Sequence, residues 1–133
     1  MKIKNKLSIL GFHSVNIILI IFYLYPGSLF GCYIYNNCRI QPQITANLMI
    51  SSNYWISSNH FYVFVILSAL GFFAYQNTKK TKFLTTYLFL LSIILELFLL
   101  IIPNRGFEWS DLFGNIIGLI FVIVVYNIKN RYV

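Results

Sequence analysis

The chain has 133 residues, of which 59% are hydrophobic and 10% are charged, and its formal net charge is +7. Average soluble domains carry about 25% charged residues, so this composition excludes an ordinary soluble protein and predicts one polytopic membrane domain. The basic residues are few and are not interleaved with aromatic side chains, so no nucleic-acid partner is expected.

Four apolar runs are long enough to cross a bilayer, which takes about 17–25 helical residues. They predict an all-α membrane protein with four transmembrane helices, at about residues 7–25, 59–76, 83–102 and 111–127. Pro26 and Gly27 end the first run, because proline cannot continue the helical hydrogen bonds. The links at 77–82 and 103–110 are short, so the last three helices are expected to pack as sequential antiparallel neighbours.

The link from residue 26 to residue 58 is long for so small a protein. Residues 44–55 mix apolar and aromatic side chains with Asn and Ser, which fits either a short helix at headgroup level or an irregular loop. Cys32 and Cys38 permit a disulfide in an oxidising compartment, and unpaired thiols fit the spacing equally. Residues 29–32 also have the form of a lipoprotein processing site, except that Phe30 is bulky.

Basic residues alternate between the two ends of the predicted bundle. One basic cluster precedes the first run and consists of Lys2, Lys4 and Lys6. A second cluster lies between the second and third runs and consists of Lys79, Lys80 and Lys82. A third cluster follows the fourth run and consists of Lys129 and Arg131. The other two links hold one basic residue each. The positive-inside bias therefore predicts a multi-pass protein of the cytoplasmic membrane with both termini cytoplasmic. Membrane lipids are the expected partners of these cations.

Polar residues near the outer ends of the spans predict one site. Glu96 stands alone in an apolar run, and an ionisable group there is a functional-site hypothesis, with Arg105 as its expected ion-pair partner. Asp111 and Asn115 share a face of the last helix, although Asp111 also suits its N-cap. His60 opens the second helix at the same side. The predicted outward-facing binding site is therefore His60, Glu96, Arg105, Asp111 and Asn115, whereas the cytoplasmic end offers nothing comparable except lysines.

Gly114 and Gly118 form a small-xxx-small spacing that lets another helix approach closely, either the third span or a second copy of the chain. No metal or other cofactor is expected. His13 and His60 are far apart in the sequence, and the two cysteines offer one pair at most.

The stretch from Glu96 to Gly118 resembles the signature of the VanZ-like family of small bacterial membrane proteins. That signature has an intramembrane Glu, a Pro-x-Arg turn, and Asp-x-x-x-Asn-x-x-Gly at the start of the last helix. These positions fall on Glu96, Pro103, Arg105, Asp111, Asn115 and Gly118. His60-Phe61 matches a His-Phe pair of the family. The chain departs from the family at Leu99, where a Gln is usual, and just before His60, where Asp-Lys is usual.

The resemblance implies a protein of the bacterial inner membrane, with a link to glycopeptide (teicoplanin-type) resistance for the founding member. Three functions follow as expectations. The first is a non-enzymatic envelope protein that engages lipid-linked or wall-directed amphiphiles at the outer leaflet. The second is a membrane enzyme acting on an envelope lipid, with Glu96 or His60 as general acid or base. The third is a scaffold in which the polar residues only hold the helices in register.

Overall fold

The computed structural model describes residues 2–40, 42, 55–76 and 78–132, with side chains from Lys6 onward. These ranges contain five helices: α1 (Lys2–Leu24), α2 (Leu29–Tyr35), α3 (Ser58–Tyr75), α4 (Thr81–Phe98) and α5 (Trp109–Tyr132). Each of α1, α3, α4 and α5 is long and apolar enough to span a membrane. The predicted all-α fold with four transmembrane helices is therefore confirmed, and the chain has the architecture of a multi-pass membrane protein.

The end of α4 differs most from the prediction. The helix ends at Phe98, four residues before the predicted end of the span. The N–H groups of Leu99, Leu100 and Ile101 each bond the carbonyl three residues back, at 3.1–3.2 Å, which is the tighter 3₁₀ pattern. Pro103 disfavours helical backbone in the residue before it, so the chain leaves the helix here. Glu96 consequently lies one turn nearer to the connecting link than the sequence predicted.

The bundle is organised around α3, which packs most extensively against α5 and also contacts α1 and α4. A Cβ atom on Gly118 would lie 2.5 Å from the carbonyl oxygen of Phe61, and one on Gly114 would lie 2.6 Å from that of Ser57. No side chain fits at either position, so the two helix backbones can approach closely. The partner of this glycine pair is therefore the second span, and not the third span or a second copy.

The outer surface of the bundle is apolar. Large hydrophobic side chains are exposed along all four long helices, among them Leu10, Ile21, Ile66, Leu90 and Phe121. Contiguous exposure of this kind is unfavourable in water and favourable against acyl chains.

The link after α1 begins with α2, which the sequence did not predict. Ser28 caps this helix by accepting a hydrogen bond from the N–H of Gly31 at 3.0 Å. Cys32 and Cys38 are joined by a disulfide, so Cys32 has no thiol for a lipoprotein thioether. Residues 44–55, for which the sequence left a short helix and an irregular loop open, fall almost entirely outside the described residues.

The two ends of the bundle can be named by these features. The disulfide end carries Cys32–Cys38, the start of α3, the end of α4 and the start of α5. The lysine end carries the start of α1 and the link between α3 and α4, with Lys79, Lys80 and Lys82.

Candidate functional site

Tyr23, near the end of α1, occupies the centre of a buried polar cluster at the disulfide end. Its hydroxyl donates to Glu96 Oε2 at 2.7 Å and accepts from Asn115 Nδ2 at 2.8 Å. The same oxygen lies 2.7 Å from His60 Nδ1. A phenolic oxygen has one proton and two lone pairs, so these three contacts use its full hydrogen-bonding capacity. A single hydroxyl of α1 therefore joins side chains from α3, α4 and α5.

Glu96 is fully buried, and both of its carboxylate oxygens have partners. Oε2 accepts from Tyr23, and Oε1 accepts from the backbone N–H of Glu108 at 3.3 Å. The second bond draws the link between α4 and α5 back over the end of α4. Within the described part of the chain, no cationic side chain lies within ion-pair distance of Glu96. The predicted ion pair between Glu96 and Arg105 is therefore wrong.

His60 and Asp111 connect the cluster to the surface. Both lie in the first turn of their helices, and the N–H of Ser57 bonds the carbonyl of Ser110 at 2.9 Å, which holds the two helix starts side by side. His60 Nε2 lies 3.3 Å from Asp111 Oδ2. The Asp111 side chain is 15% exposed, against 7% for His60, so the cluster opens to the outside at this carboxylate. The free N–H groups at the start of α5 favour a negative charge there.

Arg105 lies beside the cluster and bonds the backbone of α1. Its Nη2 donates to the carbonyl oxygen of Tyr23 at 3.2 Å. This carbonyl belongs to the last turn of α1, where C=O groups have no N–H partner within the helix. Arg105 Nε is buried and has no hydrogen-bond partner among the described residues. The guanidinium therefore has at least one N–H donor that no carboxylate of the described residues accepts.

Asn115 is also fully buried, and only one end of its amide is satisfied. Nδ2 donates to Tyr23, whereas Oδ1 has no hydrogen-bond partner in the described part of the chain. Burying an unpaired amide oxygen costs about 1–3 kcal/mol. A buried polar group without a protein partner is one that a bound water or ion can satisfy.

The structure thus brings four of the five predicted residues into one network and places Arg105 next to it. His60, Glu96 and Asp111 also approach one another closely enough to hold a metal ion, with one ligand atom of each within 4.8 Å of the others. The sequence predicted no metal site, because the three residues belong to three different helices and have no characteristic spacing.

Tyr23 is the central residue that the sequence analysis missed. A signal for it exists in α1, where Phe12, Asn16, Leu19 and Tyr23 are all buried. Their spacings of four, three and four residues place them on one helical face. A polar asparagine followed one heptad later by tyrosine on that face points to interior polar contacts.

The lysine end contains a cavity of about 490 Å³, lined in part by Phe12, His13, Tyr75 and Lys80. His13 Nε2 lies 2.9 Å from the Tyr75 hydroxyl. This end therefore carries a polar pair, His13 and Tyr75, besides its lysines. Its polar groups are fewer than those at the disulfide end, and it has no carboxylate among the described lining residues.

Comparisons of the chain with protein families, with characterised proteins and with solved structures gave no match.

Proposed function

We propose that this chain is a VanZ-like protein of the bacterial envelope that binds the anionic headgroup of lipid-linked or wall-directed amphiphiles at the outer leaflet. By doing so it would modulate susceptibility to glycopeptide (teicoplanin-type) agents, as the resemblance implies for the founding member of the family. The observation that carries the proposal is Arg105, whose guanidinium has a buried Nε without a partner and no carboxylate beside it. A guanidinium in this state is a strong donor to phosphate or carboxylate groups.

The proposal requires the disulfide end to face outward. Two independent features support this orientation. Disulfides form in oxidising compartments, which the cytoplasm is not. The lysines between α3 and α4 favour the cytoplasmic side for the opposite end of the bundle.

The binding step can be tested with two amphiphiles that differ only in charge, a polyisoprenyl phosphate and the matching polyisoprenol. Purified protein in detergent should bind the phosphate more tightly. Arg105→Gln should raise its Kd about 10- to 100-fold, because a hydrogen bond to a charged group contributes about 1.5–3 kcal/mol. Arg39→Gln is the matched control, since Arg39 is an exposed cation at the same end. Equal binding of both amphiphiles, or equal loss in the two variants, would contradict the proposal.

The physiological step can be tested by expression in a susceptible bacterium. Wild-type protein should raise the inhibitory concentration of a teicoplanin-type agent, and Arg105→Ala should not, at equal membrane levels of the two proteins. Equal protection by wild type and variant would exclude a role for the guanidinium.

A second candidate function is a membrane enzyme that acts on an envelope lipid. It is favoured by His60, which lies between the Asp111 carboxylate and the Tyr23 hydroxyl. A histidine oriented in this way by a carboxylate can exchange protons with a hydroxyl on its other side. Turnover of a lipid-linked precursor that is abolished by Glu96→Gln would support the enzyme. Phosphate binding without turnover on a broad panel of such precursors would exclude it.

A further inference from the structure

The cluster around Tyr23 has the composition of a metal site. Two carboxylates and one imidazole, from Glu96, Asp111 and His60, bring their ligand atoms within 4.8 Å of one another. Glu96 is fully buried, and the Asp111 side chain is 15% exposed. No Lys or Arg of the described residues forms an ion pair with either carboxylate. Two carboxylates so close together and so far from water need a positive charge or protons between them.

The hydrogen bonds of Tyr23 decide which nitrogen of His60 carries a proton. The hydroxyl gives its only proton to Glu96 and accepts from Asn115. When Glu96 is ionised, the remaining lone pair of the phenolic oxygen can only accept, so His60 Nδ1 is then the donor in the 2.7 Å contact. In a neutral imidazole with its proton on Nδ1, Nε2 has no proton and carries a lone pair. That lone pair points to the Asp111 carboxylate, and a proton or a cation must lie between the two.

The distance between His60 Nε2 and Asp111 Oδ2 favours a metal cation over a proton between them. Hydrogen bonds between charged nitrogen and carboxylate oxygen are about 2.7–2.9 Å long. His60 Nε2 and Asp111 Oδ2 are 3.3 Å apart. Two ligands of a tetrahedral ion with bonds of about 2.0–2.2 Å lie roughly 3.3–3.5 Å from each other. The 3.3 Å separation is compatible with one edge of a tetrahedral coordination sphere, and the other ligand atoms, which lie within 4.8 Å, would move closer when an ion binds.

The surroundings supply what a coordinated histidine needs. A metal-bound imidazole normally donates its other N–H to a fixed acceptor, which orients the ring. Tyr23 is that acceptor, and the same tyrosine also holds the Glu96 carboxylate. Asn115 Oδ1 is fully buried, has no partner in the described part of the chain and belongs to an amide already bonded to Tyr23. Three ligand atoms, from His60, Glu96 and Asp111, thus lie within 4.8 Å of one another, and the Asn115 amide oxygen is a fourth candidate because its amide bonds the same tyrosine.

We propose that His60, Glu96 and Asp111 bind a divalent transition-metal ion of the Zn²⁺ class, with the amide oxygen of Asn115 as a further ligand. An imidazole in a set of at most four donors favours such an ion over Mg²⁺ or Ca²⁺, which take six or more oxygen ligands. The two carboxylates balance its charge. The partly exposed Asp111 provides the way in from the disulfide end.

The test uses tag-free, full-length protein purified with a chelator and then exchanged into chelator-free detergent buffer. Titration with Zn²⁺ should give one ion per chain, measured by mass spectrometry after gel filtration. Replacing Zn²⁺ with Co²⁺ should give the intense visible absorption of a four-coordinate site. The Co²⁺ spectrum is measured on the wild-type protein, so it tests the proposal even if a substitution prevents folding.

Variants locate the ion. Asp111→Asn keeps the size of the side chain and should raise the Zn²⁺ Kd at least 100-fold. Tyr23→Phe, which removes only the hydroxyl that orients two ligands, should raise it about 10- to 100-fold. Two matched controls should leave the Kd unchanged: Glu108→Gln, which removes a neighbouring carboxylate outside the cluster, and His13→Gln, which removes the other histidine of the chain.

Less than one tenth of an ion per wild-type chain, or a Co²⁺ spectrum of a six-coordinate aquo ion, would overturn the proposal. So would an equal loss in Asp111→Asn and in either control, which would show an adventitious ion only. The metal titration contains no amphiphile, and the amphiphile titration can be run in chelator. Failure of the metal site is therefore distinguishable from failure of the headgroup proposal.

Discussion

The hydroxyl of Tyr23 gives the sharpest prediction for stability, because one oxygen atom carries three interhelical contacts. Tyr23→Phe removes that atom and keeps the aromatic ring. His60 Nδ1, Glu96 Oε2 and Asn115 Nδ2 all lose a partner in the same step. All three residues are buried, with at most 6% of each residue exposed, so water has little access to replace the hydroxyl.

The size of the effect follows from the number of contacts. Interhelical hydrogen bonds in membrane proteins contribute about 0.6 kcal/mol each on average, so three give a lower bound of about 2 kcal/mol. Leaving buried polar groups unsatisfied costs about 1–3 kcal/mol each. The cluster opens to the outside at Asp111, where water relieves part of this cost. We therefore expect Tyr23→Phe to lower the free energy of unfolding by about 2–4 kcal/mol.

The measurement is unfolding of the detergent-solubilised protein by SDS titration, in the presence of chelator so that metal binding does not contribute. Tyr126→Phe is the matched control, because the Tyr126 ring packs on Phe72 and its hydroxyl has no hydrogen bond to any described residue. The control should change the stability by less than about 0.5 kcal/mol. Equal stability of the two variants would show that the Tyr23 hydroxyl does not hold the four helices together.

Three further predictions concern packing, orientation and the role of the cluster. Gly118→Ala should destabilise the protein by about 1–3 kcal/mol in the same SDS assay, because its Cβ meets the backbone of α3, whereas Gly11→Ala, with nothing within 4 Å, should be neutral or stabilising. A membrane-impermeant maleimide should label Cys32 and Cys38, the only two cysteines, in intact cells after reduction and not before; labelling only in opened cells would reverse the orientation. Glu96→Gln should abolish resistance at unchanged membrane abundance, whereas a loss that matches a fall in abundance would favour the scaffold function.

The four spans could be predicted from the sequence because the signal is local. A run of about 20 apolar residues, a terminating Pro26 and lysine clusters at alternate boundaries each depend on neighbours along the chain. The observed bounds of α1, α3 and α5 agree with the predicted spans at the disulfide end to within two residues. α4 ends earlier than predicted, because the apolar residues after Phe98 continue the hydrophobic signal although their backbone no longer follows the α-helical pattern.

The site was predictable only in part, because its contacts are long-range. Tyr23 lies 37, 73 and 92 residues from His60, Glu96 and Asn115, so no spacing rule connects it to them. A tyrosine near the end of a span is also ordinary at a membrane interface, and this conceals its role.

The predicted pair of Glu96 with Arg105 failed for a geometric reason. The link after α4 folds back, so the backbone N–H of Glu108 meets the carboxylate, while the guanidinium reaches the end of α1. Opposite charges near each other in sequence indicate a pair only when the path of the link is known.

The α1 hydroxyl and the side chains of the later helices meet in one buried cluster. A double-mutant cycle between Tyr23→Phe and Asn115→Ala, measured by SDS titration in chelator, probes this contact. We expect a coupling free energy of about 0.6–1.7 kcal/mol between two residues that are 92 positions apart. Additive effects, with a coupling free energy well below about 0.5 kcal/mol, would contradict it.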